Sequence, residues 1–130
     1  LGDLAMIEIE KLKNLKSQGD INHEDIVHDS VGFVVNNAID KDNRDLYNAT
    51  QGIWKCSIRK VKNTDLVFSL YRGMIVGVWI PEKWYESDIK GRVYFEGIQC
   101  EDKDILDRYL YKTVPKAYSV VRYYGGLRVN

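Results

Sequence analysis

Several things are missing from this chain of 130 residues, and each absence removes a class of function. It has no net charge, with 19 basic and 19 acidic side chains, so it is not one of the plainly basic nucleic-acid binders. Its two cysteines, Cys56 and Cys100, are too few and too far apart for a zinc site and read as buried or half-buried thiols. No apolar run approaches the roughly 20 residues that cross a bilayer. No secretory signal is present either, so a cytoplasmic protein without a membrane partner is expected. Metal box, phosphate loop and catalytic triad are all lacking, and no cofactor is expected. His23 and His28 stand about 140° apart on a helical wheel, which suits two solvent-facing histidines better than a metal pair.

What is present is unevenly distributed. Residues 1–30 carry seven acids and three bases, residues 52–92 carry eight bases and four acids, and residues 111–130 carry four bases and no acid. The folded protein should therefore be dipolar, with two basic segments free to converge on one face.

Residues 1–30 read as an N-terminal helix over 1–18, with Leu1, Leu4, Leu12 and Leu15 in its apolar stripe, followed by an acidic loop. The abrupt start at "LGDL" reads as a piece of a longer polypeptide with a domain upstream. Residues 31–130 read as one domain. Strands are expected at 31–36, 65–71, 74–80, 92–98 and 118–124, with "IWKC" extended and Gly73 turning the second and third into a hairpin. Helices are expected over 45–51, over 57–62 with Ser57 as N-cap, and over 101–113. Pro81 should end the strand before it and leave "PEKWYESDIKG" as a loop. Hairpin-linked strands with helices between them give an α+β class, built as a small mixed curved sheet with flanking helices.

The three tryptophans separate by context. In "MIVGVWI" alternation sets Met74, Val76, Val78 and Ile80 on one face and Ile75, Gly77 and Trp79 on the other; both faces are apolar, and Trp79 reads as core. Trp84, in a polar loop beside Tyr85, reads as a loop anchor or as one wall of an aromatic pocket. Trp54 sits beside Lys55, Arg59, Lys60 and Lys62, and reads either as core or as a weak form of the pattern that grips nucleic acid by stacking and phosphate contact.

In order and spacing, "FVVNNA", "GIWKCS", "DLVFSLYRGMIVGVWI" and "GRVYFEGI" resemble the PUA-like superfamily of small β-barrels, particularly its ASCH, EVE and YTH branches. The likeness covers roughly residues 31–99. It implies a PUA-like barrel over 31–130 that binds DNA or RNA through a flipped or modified base. Trp54 and Trp84 would be the cage walls, with Tyr85 beside them. Asn36 and Asn37 would contact the nucleotide, and Lys55, Arg59, Lys60 and Arg92 the phosphates. "WKCS" lacks the Ser-Thr-rich continuation usual in the RNA readers. Residues 46–129 also look like an accessory module found behind GIY-YIG-type nuclease domains.

Two other classes stay open. ASCH-type hydrolases would cast Lys55, Ser57 and Glu96 as a catalytic trio. A protein-interaction or homodimerisation module would use the amphipathic start and the tyrosine-rich end, Tyr118, Tyr123 and Tyr124.

Overall fold

A computed structural model of the chain describes residues 9–128. Helix α1 (Ile9–Lys13) is followed by β1 (Ser30–Val34), α2 (Asn36–Asp40), α3 (Leu46–Gln51), β2 (Trp54–Lys55) and α4 (Ile58–Val61). Then come β3 (Leu66–Tyr71), β4 (Met74–Glu86), β5 (Arg92–Gln99), α5 (Lys103–Tyr109) and β6 (Val121–Tyr124). The strands form one mixed sheet in the order β2-β5-β4-β3-β1-β6, with β1 and β3 parallel and the other neighbours antiparallel. A parallel pair needs a long crossover, and residues 35–65 supply it with three short helices and β2. The sheet curls until it is nearly closed into a barrel, in keeping with the α+β expectation.

Both faces of the central strands are buried, as their apolar runs require. Inside the curl lie Val31, Phe33, Val67, Trp79, Val93 and Phe95, plugged by Ile39, Leu46, Ala49 and Val61 from the crossover helices. Leu12 of α1 joins this cluster, whereas Leu1 and Leu4 of the expected stripe lie outside the described residues. Outside the curl, Phe68, Leu70, Ile75 and Val78 are covered by Ile21, Ile26, Tyr109 and Val114. The histidines expected in solvent are half-buried here: His28 Nδ1 lies 2.6 Å from the Tyr109 hydroxyl, and the His23 ring packs on Tyr124.

Arg72 and Gly73 both have positive φ, 51° and 82°, which is the conformation a two-residue hairpin between twisted strands needs. The strict alternation expected for β4 fails at a bulge. Ser69 pairs with Gly77 but Leu70 pairs with Ile75, so Val76 is the extra residue. Met74 and Val76 thereby reach the same interior as Trp79.

Strand β4 also does not stop at Pro81. It runs on to Glu86 through a second irregularity between Pro81 and Lys83, paired with β5 throughout. The ladder to β3 has already ended at Trp79, so the proline sits beside a free edge where a missing N–H is tolerated. Helix α5 is shorter than expected because Leu110 is extended and Tyr111 has φ 65°. The last strand is shorter too, because Arg122 donates to the carbonyls of Ala117 and Ser119 and holds residues 117–120 in a loop.

A buried hydroxyl chain fixes α3 to the sheet. Thr50 Oγ1 donates to the Leu46 carbonyl (2.7 Å), so the Ser69 hydroxyl donates to Thr50 Oγ1 (2.5 Å) and accepts from Trp79 Nε1 (2.7 Å). At the opposite end of the crossover, the Tyr71 hydroxyl donates to Asp40 Oδ1 (2.5 Å), with Arg72 3.6 Å and Lys13 4.0 Å from the same carboxylate.

Ser69→Ala strands the Trp79 N–H, and denaturant titration should show a loss of about 1–3 kcal/mol. The Tyr71 hydrogen bond, aided by Arg72 and Lys13, holds the Asp40 carboxyl below its usual range. A lowered folded pKa means stability that is present at neutral pH and lost as pH falls through that value. Asp40→Asn should therefore melt below the native protein at pH 7, and the gap should close as pH falls to about 2.

Candidate functional site

Trp54 is placed by the residue two before it. Gly52 ends α3 with φ 67°, and a Cβ there would overlap the indole, 2.0 Å from Nε1. The bare Cα lets the indole fold back, and Nε1 donates to the Thr50 carbonyl at 2.7 Å, satisfying one of the orphan acceptors at the helix end. The Gly-Ile-Trp step is thus a helix stop that aims a tryptophan at the barrel interior.

There Trp54 meets Phe33 of β1, ring on ring, with centroids 4.6 Å apart and planes within 1°. Trp84 packs edge-on against the same Phe33 at 6.3 Å and against its strand partner Phe95 at 5.3 Å. The two indoles do converge, but around a phenylalanine that is 0% exposed. Phe33 takes the stacking position that an open cage would keep for a base. Trp84 is also not a loop residue; its place on β4, opposite Phe95, turns it inward.

The expected polar contacts disperse. Asn36 and Asn37 belong to α2 rather than to the end of β1, and Asn36 Oδ1 accepts from the Arg72 N–H (2.9 Å), bracing the hairpin. Lys60 lies 3.9 Å over the ring of Tyr123, a contact between α4 and β6, and Tyr123 and Cys56 both pack against the inner core cluster. Burial raises the Cys56 thiol to about 11 and the Tyr123 phenol to about 12, which leaves both protonated and unreactive at neutral pH. Arg59 is exposed on α4.

The remaining predicted residues do assemble, on the outer face of β2–β5–β4. Lys55 and Arg92 are direct cross-strand partners. Like charges in that relation repel, and neither takes part in the two ion pairs seen among the described residues. Two residues along β5 on the same face stands Tyr94, stacked on its partner Tyr85 with centroids 4.9 Å apart and planes 13° apart. Lys83 reaches over Tyr85 at 4.9 Å. The Tyr85 hydroxyl donates to Glu96 (2.5 Å), which with desolvation pushes the phenol to about 12. Beside this platform, Ile53, Tyr94, Ile89, Glu86, Ser87 and Asp88 line an open groove of about 370 Å³.

Reading the strand by tryptophans missed Tyr94, Lys83 and Ile53. The signal was available: in "RVYFEGI" alternation sets Arg92, Tyr94 and Glu96 opposite the buried Val93 and Phe95.

The trio Lys55, Ser57 and Glu96 does not gather. Glu96 is bonded to Tyr85 and lies four residues along β5, about 13 Å, from the partner of Lys55. Ser57 stands at the N-cap of α4 without a side-chain cap bond. Among the described residues no group of histidine, cysteine and acid side chains is arranged to hold a metal, and no helix is long and apolar enough to cross a membrane.

Phe33→Ala should cost about 3–5 kcal/mol in denaturant unfolding, the range for deleting a buried ring. Trp54→Phe, which keeps a ring but loses the bond to Thr50, should cost about 1 kcal/mol. An unchanged midpoint for both would show that neither indole contact supports the fold.

No family model, curated protein or solved structure matches this chain.

Proposed function

We propose that the domain binds nucleic acid, DNA or RNA, in the cytoplasm, through the outer face of β2–β5–β4. The observation that carries this reading is the Lys55–Arg92 pair, two cations held opposite each other and outside the ion pairs seen among the described residues, beside a stacked pair of half-exposed tyrosines. A sheet gains stability from opposite charges at such positions, so an uncompensated basic pair is explained by a partner that supplies the anion. Phosphate is the anion that fits, because the same face offers aromatic rings on which bases stack. The nearly closed mixed barrel also supports the PUA-like assignment. The face differs from the cage that the resemblance implies, since Phe33 is packed between the protein's own rings.

The tyrosines and cations contribute in different ways. Tyr94→Ala should weaken binding of a fluorescent single-stranded octamer by about 1–3 kcal/mol, the value of one stacking contact. Lys55→Ala and Arg92→Ala should each lower the slope of log affinity against log salt by about 0.7, independently of sequence. Anisotropy titrations at several salt concentrations measure both. Binding that is unchanged in all three variants would rule the face out, and Arg59→Ala then tests α4 as the alternative.

A further inference from the structure

The geometry points to the groove beside Tyr94 as a seat for one unpaired base, whose amino-bearing edge is read by Glu86 and Asp88. This deepens the reading of the outer face as a nucleic-acid interface and rests on it.

Three features shape the groove. Its apolar walls are the Tyr94 ring and two isoleucines that remain in solvent, Ile53 at 36% and Ile89 at 54% exposure. Its rim is acidic, with Glu86 and Asp88 both exposed. Its cations lie next door: Arg92 and Lys55 occupy the positions two residues before Tyr94 on β5 and two residues after Ile53. The turn that holds Ile89 is closed by its own hydrogen bonds. Ser87 Oγ donates to the Ile89 carbonyl and accepts its N–H, while Arg92 N–H donates to Ile89 O and Ser87 N–H to Arg92 O. Ser87 is therefore committed, which leaves the two carboxylates and the Tyr94 hydroxyl as the groove's remaining polar side-chain groups, and only the carboxylates are charged.

Size and charge select the occupant. A groove of about 370 Å³ is within the range of small-molecule sites and holds one nucleoside. A base inside a duplex cannot enter between Tyr94 and Ile89, so the strand must be single or locally unpaired. Carboxylates at the rim repel phosphate, which turns the backbone toward Lys55 and Arg92 and the base toward the groove. A carboxylate only accepts hydrogen bonds. The base edges that match two acceptors are those rich in N–H: guanine has a ring N–H beside an amino group, adenine and cytosine have one amino group, and thymine has only a ring N–H. The order of preference is guanine first, adenine and cytosine next, thymine last.

The test uses the full chain and fluorescein-labelled DNA octamers, eight thymidines or the same strand with one central dG, dA or dC, titrated by anisotropy. The dG strand should bind about tenfold more tightly than the thymidine octamer, the worth of a well-placed pair of base contacts. In the double variant Glu86→Gln, Asp88→Asn the preference should fall below about twofold while the thymidine octamer binds as well or more tightly, because two repelling charges are gone. Equal binding of all four octamers by the native protein, or a preference that survives the double variant, would overturn the base-reading role while leaving the platform intact. Absence of binding to any octamer would remove the interface itself, and this role with it.

Discussion

The contact between Phe33 and Trp54 is the constraint on which the architecture turns. One ring belongs to β1 and the other to β2, which stand four places apart in the sheet, so they stack only because the sheet curls back on itself. A strongly twisted sheet of six strands either splays or closes, and an aromatic pair across the gap, each ring burying on the order of 150–250 Å², favours closure. Gly52 makes the contact possible by leaving room for the indole, and the Thr50 carbonyl fixes its orientation. Closure then fills the interior: Trp84, Phe95 and the crossover helices pack against the same cluster. The stacked, half-exposed rings of Tyr85 and Tyr94 lie on the outside.

The outside is divided unequally. Over β3 and the start of β4 it is sealed by Ile21, Ile26, Tyr109 and Val114. Over β2, β5 and the end of β4 the rings of Tyr85 and Tyr94 are half-exposed, and Ile98 is 51% exposed. The long β4 produces this division, because its second half extends past the end of β3 and carries β5 and β2 with it. Had Pro81 ended the strand, the platform would not exist. The bulge between Pro81 and Lys83 is therefore the local feature that creates the outer face, and it sits where bulges commonly re-aim side chains.

Much of the fold was legible because it rests on local chemistry. The Arg72–Gly73 turn, the β3 and β4 runs, the presence of a helix where α5 lies and the buried Trp79 all follow from short-range rules. Two things were illegible for a common reason. A bulge changes which residues share a face without changing composition, so the alternation in "MIVGVWI" gave the wrong partners for Met74 and Val76. The continuation of β4 past a proline depends on whether the neighbouring strand has ended, which is tertiary information. For the site, the basic residues Lys55 and Arg92 and the ring of Tyr85 were recognisable one by one. Their convergence was not, because Lys55 and Arg92 become neighbours only through the pairing of β2 with β5.

The balance of charge on this face has its own consequence. A protein of zero net charge gains little from long-range attraction to a polyanion, so under the proposed reading affinity would come from short-range contacts. Lys55, Arg92 and Lys83 are few, and Glu96 is set among them with Tyr85 donating to it. That hydrogen bond pushes the Tyr85 phenol, already neutral at physiological pH, further up to about 12. As the proposed interface, a face composed this way would be weak toward duplex backbone and would gain mainly from bases it can touch. Acidic residues beside a basic pair lower affinity for every strand, yet they lower it least for strands whose bases offer hydrogen-bond donors. In the proposed role, selectivity would then come from what the face repels as much as from what it attracts.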